Sequence, residues 1–165
     1  MFNSKIVIAM KLISLLSVIM LFSNSFLLTC SRENNVDNCT PSSLPFTSIE
    51  TYFGCPNTKY SMDIDLNNTY TIIRNQAQFD QLVTISEDCP INLDLTNYDL
   101  IIGKKSLNNG NQNIEYEYFT DDCQTLVLRV TFNQDETLMA PNLTYHALVP
   151  KISENEILQV ETMVN

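Results

Sequence analysis

From Met62 to Asn67 apolar and polar residues alternate, with Met62, Ile64 and Leu66 on one side and Asp63, Asp65 and Asn67 on the other. A period of two is the mark of a half-buried strand with one wet face. Tyr70 to Arg74 holds a second apolar run. The period then changes: Phe79, Leu82 and Val83 fall at i, i+3 and i+4 behind Asn75, whose short polar side chain suits an N-cap. That spacing predicts a helix over about 76–84, ending before the Cys89-Pro90 turn.

Strands resume at Tyr98 to Lys104, centred on Leu100-Ile101-Ile102 and broken at Gly103. Asn108-Asn109-Gly110-Asn111 reads as a turn. Ile114, Tyr116 and Tyr118 then alternate with Glu115 and Glu117, and Asp121-Asp122 turns the chain again. Leu126, Leu128, Val130 and Phe132 line one face of a long strand, and Tyr145 to Val149 and Ile157 to Val164 complete the set. Short loops between consecutive strands favour antiparallel pairing. The pattern therefore predicts an α+β fold, mainly antiparallel β, as a curved sheet or open barrel with one short packed helix.

The first residues follow a different logic. Lys5 and Lys11 precede an apolar run from Leu12 to Phe22, which gives way to Ser23-Asn24-Ser25. A basic start and a short apolar stretch mark a secretory signal, and the run is too short for a membrane span. Either Met1 or Met10 can serve as the start. Leu27-Leu28-Thr29-Cys30 resembles a bacterial lipoprotein box, in which cleavage falls just before a cysteine that carries lipid. The expected organisation is a signal peptide over 1–29, a flexible tether over 30–45 from a lipidated Cys30, and one β-rich domain over 46–165. The tether is rich in Ser, Asn, Thr and Asp and has too little apolar surface to order itself. Acyl chains on Cys30 would hold the protein to the cell envelope, on a periplasmic or surface face.

Cleavage removes two lysines and no acid, so the net charge moves from -10 to about -12. Phosphate binding needs a basic face, which argues against a nucleic-acid partner. With Cys30 acylated, Cys39, Cys55, Cys89 and Cys123 remain, an even number suited to an oxidising compartment. Three pairings are open; Cys39–Cys55 and Cys89–Cys123 are favoured, the first pair lying ahead of the core and the second in its loops. No CxxC is present and the single histidine, His146, lies far from the cysteines, which speaks against zinc.

Other chemistry is thin. Asp63-x-Asp65-x-Asn67 opens like a calcium loop, but Asn68 stands where glycine is needed and Arg74 where the bidentate glutamate belongs. His146 sits inside the apolar strand Tyr145 to Val149 with no nucleophile turn beside it. Glu115 and Glu117 face solvent, and three glycines leave no phosphate-cradling loop. No catalytic residue, metal or cofactor is expected, and the chain reads as a non-enzyme.

Three blocks in order carry a family likeness: Tyr70-Thr71-Ile72-Ile73-Arg74-Asn75-Gln76 with Phe79 and Leu82, then Cys89 to Leu95 and Tyr98 to Gly103, then Tyr145 to Ile152. Together they resemble small envelope lipoproteins of the Bacteroidetes type and the C-terminal domain of the PrcB family, lipoproteins that associate with a secreted protease. The resemblance spans about Tyr70 to Val164. It implies a non-enzymatic, lipid-anchored scaffold that binds an envelope or secreted protein, a protease among the candidates. The residues expected to make the contact are Tyr116 and Tyr118, or the turn Asn108, Asn109, Gly110 and Asn111. The alternatives are a surface module for small ligands or glycans, and a protease inhibitor.

Overall fold

In the computed structural model the described residues are 40–49, 55, 57–87, 89, 91–121 and 125–165. The signal segment, Cys30, Cys39, Pro90, Asp122 and Cys123 lie outside the described residues. In chain order the elements are β1 (Ser42–Ser43), α1 (Thr58–Ser61), β2 (Met62–Ile64), β3 (Tyr70–Ile73), α2 (Gln76–Leu82) and β4 (Val83–Ile85). They continue as β5 (Tyr98–Ser106), β6 (Asn111–Thr120), β7 (Thr125–Gln134), β8 (Asn142–Pro150) and β9 (Ile157–Val164). The fold is α+β and mainly antiparallel, with short helices and sheets that stay open.

The strands form a four-stranded sheet in the order β1-β6-β7-β9, a three-stranded sheet β3-β5-β8 and a small β2-β4 ladder. The middle sheet is apolar on both faces, since Leu100, Ile101 and Ile102 of β5 are all fully buried. Ile101, Leu143, Tyr145, Ala147 and Val149 pack against Leu126, Leu128, Val130 and Phe132 of the large sheet. Leu100, Ile102, Leu148 and Ile73 pack on the other side against Met62, Ile64, Phe79, Val83 and Leu93. Burial of this apolar surface is the main favourable term, at about 25 cal/mol per Å² removed from water.

Side chains pin the open flanks between the two larger sheets. On one flank α1 contributes Thr58, whose Oγ1 lies 2.7 Å from His146 Nε2 of β8. The next residue, Lys59, donates from Nζ to the backbone oxygen and Oδ1 of Asn111 on β6, both at 3.1 Å. On the other flank Tyr70 of β3 donates its hydroxyl to the Leu158 carbonyl at 3.0 Å, and Lys105 Nζ reaches Thr162 Oγ1 at 3.2 Å. The exposed edge of β8 is satisfied as well: Leu148 exchanges backbone bonds with Thr47, and the His146 N–H donates to the Tyr116 hydroxyl at 3.3 Å. These partners meet the requirement that buried backbone groups be paired.

Several expectations need correction. The alternation of Ile114, Tyr116 and Tyr118 with Glu115 and Glu117 holds, as does the Asn75 cap, whose Oδ1 accepts from Gln78 N at 2.9 Å. The helix is shorter than expected: it stops at Leu82, which is exposed, because Val83 turns into the core as the first residue of β4. β5 does not break at Gly103 but runs to Ser106. Glycine is needed there because a Cβ would meet the Tyr145 ring and stand 2.7 Å from the Thr69 carbonyl. β9 pairs with β7 in parallel, not antiparallel, since the chain crosses from β8 back to the far side of β7. The ordered domain starts before residue 46: Ser42 and Ser43 pair with Thr120 and Phe119, so the last residues of the expected tether belong to the sheet.

The cysteine pairing also differs. Cys55 is joined to Cys89, with Cα atoms 5.3 Å apart, so neither Cys39–Cys55 nor Cys89–Cys123 forms. The cause is the β2-β4 ladder, where Met62 opposes Ile85 and Ser86 N donates to the Ser61 carbonyl. Followed outwards, that ladder brings the two chain segments together at the cysteines.

Asp99, with no exposed side-chain surface, ties three elements together. It accepts from Arg74 Nη1 at 3.3 Å, Lys151 Nζ at 2.7 Å and the Ile152 N–H at 3.0 Å. Both cations keep about four-tenths of their side-chain surface in water. A buried carboxylate is tolerable only because these donors satisfy it.

Asp99→Asn, which removes the charge and leaves two cations facing a neutral amide, should lower stability by about 3 kcal/mol in urea titration. An unchanged midpoint would show that the clamp is dispensable. Peptide mapping without reduction should return Cys55 linked to Cys89. It should also return Cys39 linked to Cys123, because each lies three positions beyond the Ser42–Thr120 pair in the sequence.

Candidate functional site

β6 offers two different faces. Tyr116 and Tyr118 turn towards the core side, while Glu117 and Phe119 turn outward. Antiparallel register sets Arg129 of β7 opposite Glu117, and parallel register sets Glu161 of β9 on its other side. Arg129 donates from Nη1 to Glu117 and from Nε to Glu161, each at 3.1 Å, and its guanidinium lies 4.9 Å from the centre of the Phe119 ring. The Glu161 and then the Glu117 hydrogen bonds hold its pKa above the usual arginine value. Cross-strand pairing of this kind fixes a charged group in place without burying it.

Beside this cluster lies an open groove of about 510 Å³. Pro41, Ser43 and Phe46 form one wall and Tyr116, Glu117, Phe119 and Arg129 the other. The wall exists because β1 pairs with only the last residues of β6: Leu44 N still donates to the Tyr118 carbonyl at 2.8 Å, and the chain then leaves to meet β8. On that edge β1 pairs with Phe119 and Thr120 alone. The groove therefore combines aromatic surface with one held cation.

The two tyrosines singled out by sequence are not equivalent. Tyr116 is half-buried, its ring 6.4 Å from those of both Phe46 and His146, nearly parallel to the latter. Tyr118 is only 4 % exposed and reaches the groove from beneath. Burial, then the Glu156 and Asp99 carboxylates, push its phenol up to about 12, so it stays protonated as a core residue.

The turn Asn108 to Asn111 stands at the opposite end of the large sheet. Asn108 is exposed, whereas Asn111 is buried and fully engaged: besides Lys59, its Nδ2 donates to the Asn113 and Asn133 carbonyls at 3.0 and 3.1 Å. Gly110 packs against Asp135 and Thr137, where any Cβ would collide. The turn thus serves as a support, and the structure does not bring it together with Tyr116 and Tyr118. Sequence reasoning missed Phe46, Phe119 and Arg129; the β6-β7 register and the path of the chain after β1 assemble them.

Most of the remaining polar groups have structural partners, whereas Thr144 Oγ1 and His146 Nδ1 are buried with no hydrogen-bond partner among the described residues. Asp63 pairs with Lys104, chiefly through a side-chain hydrogen bond that holds its carboxyl below the usual range. Glu115 accepts from Asn113 and Asn133. Among the described residues no three His, Cys, Asp or Glu side chains gather as metal ligands. Thr58 and His146 put a hydroxyl against an imidazole, but both are fully buried, so no substrate reaches the pair. Comparison with known protein families, with curated proteins and with solved structures finds no match.

His146 makes the domain acid-sensitive. Burial depresses its pKa from 6.5 to about 4. The unfolded chain takes up the proton near the upper value and the folded chain only near the lower, so stability present above pH 6.5 is lost as pH falls towards 4. The loss approaches about 3 kcal/mol. Urea midpoints measured between about pH 7 and pH 4.5 should fall in the native protein and stay flatter in His146→Gln. Equal slopes would remove His146 as the cause.

Proposed function

We propose that the chain is a non-catalytic cell-envelope lipoprotein, anchored through Cys30, whose domain binds another protein. The observation that carries this reading is the groove, in which aromatic surface lies beside a guanidinium held in place by two carboxylates. Aromatic side chains and arginine are the groups that most often anchor a protein partner. Here Phe46 and Tyr116 supply the apolar contact, and Arg129 with Glu117 supplies a fixed charge pattern at the rim. The lipobox and the tether behind it add the second element: anchoring converts a modest affinity into a high local concentration. Scaffolding of a secreted or envelope partner, such as a protease, is the role that fits both.

The test is made in the native cells. Wild-type protein should fractionate with membranes, and Cys30→Ala should move it to the soluble fraction; wild-type protein in the soluble fraction would sink the anchor. A photo-crosslinking amino acid in place of Glu117 should give one discrete protein adduct that the same probe at exposed Asp80 on α2 does not. Adducts of equal pattern at both sites, or none at either, would sink the groove as a docking site.

A further inference from the structure

The connection from β7 to β8 carries an unexpected surface. Leu138 is 94 % exposed, the most of any large apolar side chain among the described residues, and its neighbour Met139 is 65 % exposed. The loop is held at both ends. Gly110 N donates to the Thr137 carbonyl and Leu107 N to the Pro141 carbonyl, each at 3.0 Å, and Asp135 N donates back to the Gly110 carbonyl at 3.0 Å. Within the loop Asp135 Oδ1 accepts from Thr137 N at 2.9 Å. Its hydrogen bonds from Thr137 hold the Asp135 carboxyl below its usual range. The segment between the two clamps, Leu138 to Ala140, projects from fixed points. The β5–β6 turn is what fixes them, and Gly110 is the residue that lets turn and loop approach.

Two observations say what this tip meets. First, its place: the chain joins the large sheet at Ser42, beside Thr120, whereas the loop leaves β7 at Gln134, beside Asn111. These are the two ends of β6, ten residues and about 30 Å apart. Met163 and Val164, 43 % and 44 % exposed, end β9 at the same pole as the loop. This pole therefore lies at the end of the large sheet opposite the point where Ser42 enters it. Second, its charge: Asp135 and exposed Glu136 precede the tip on a chain of net charge -10, which disfavours both an anionic bilayer and a second copy of the chain.

We propose that Leu138 and Met139 form a preorganised docking tip that inserts into an apolar pocket with a cationic rim on a protein partner, met at the end of the large sheet opposite the entry of the chain at Ser42. Two exposed anchors held by main-chain bonds lose little freedom on binding, so a small contact area can carry useful affinity. The proposal rests on the anchored, protein-binding reading above but uses a surface separate from the groove.

The test replaces Met139 by a photo-crosslinking amino acid in the anchored protein in its native cells. A discrete adduct with one other protein is expected. That protein, once purified, should bind the wild-type domain and lose at least tenfold in affinity to a Leu138→Ser, Met139→Ser double variant and severalfold to Glu136→Lys. Gly110→Ala, whose Cβ meets the Asp135 and Thr137 side chains that brace the loop, should weaken binding too. Unfolding midpoints of the two serine substitutions should stay at the wild-type value, since neither side chain is buried. An adduct with lipid, an adduct with a second copy, no adduct, or unchanged affinity in the serine variant would each overturn the proposal. Adducts at Glu117 with none at Met139 would sink the tip alone; adducts at neither would sink the protein-binding reading as well.

Discussion

The β5-β8 ladder is apolar on both faces, and the rest of the domain follows from that constraint. A sheet with two dry faces needs a cover on each. The large sheet supplies one cover and the β2-β4 ladder with α2 supplies the other. Several polar groups that cannot leave these interfaces are matched across elements, Asp99 with two cations and Lys59 with the acceptors of Asn111. The His146 imidazole meets Thr58. Each of these pairs joins different elements, so polar satisfaction also fixes how the layers sit.

The same logic separates binding surface from core. Where a strand lies between two layers, its side chains are committed, as with Tyr118. Where a groove or a loop escapes the layers, exposed chemistry survives: the groove beside Phe46, and the clamped loop bearing Leu138. Both surfaces come from the large sheet and the loop that leaves it. The middle sheet has no face left to offer.

Local signals are legible in the sequence. Asn75 caps its helix because the cap needs only residues three apart, and Ile114, Tyr116 and Tyr118 face inward because a period of two is visible in ten residues. Non-local pairing is not legible. Ser42 and Ser43 look like tether until Thr120 and Phe119 lie beside them, and Ile157 to Val164 carries no mark of parallel pairing. Cys55 and Cys89 meet through a ladder whose β4 strand continues the apolar pattern of the helix before it. The groove escapes notice for the same reason, since Phe46, Tyr116 and Arg129 come from three separated segments. Leu138-Met139 stands out as an apolar pair in a polar run, yet only its exposure and its clamps distinguish a tip from buried filler.

The large sheet is completed by both extremities of the domain, β1 on one edge and β9 on the other, with the β6-β7 hairpin between them. β9 is therefore a structural member of the sheet that Ser42 and Ser43 also enter. Non-local closure of this kind is slow. A nascent chain lacking its final eight-residue strand cannot finish its sheet. Loss of β9 alone would bare the edge of β7 opposite β6, so the hairpin at the centre of the sheet depends on a segment that follows β8 in the chain.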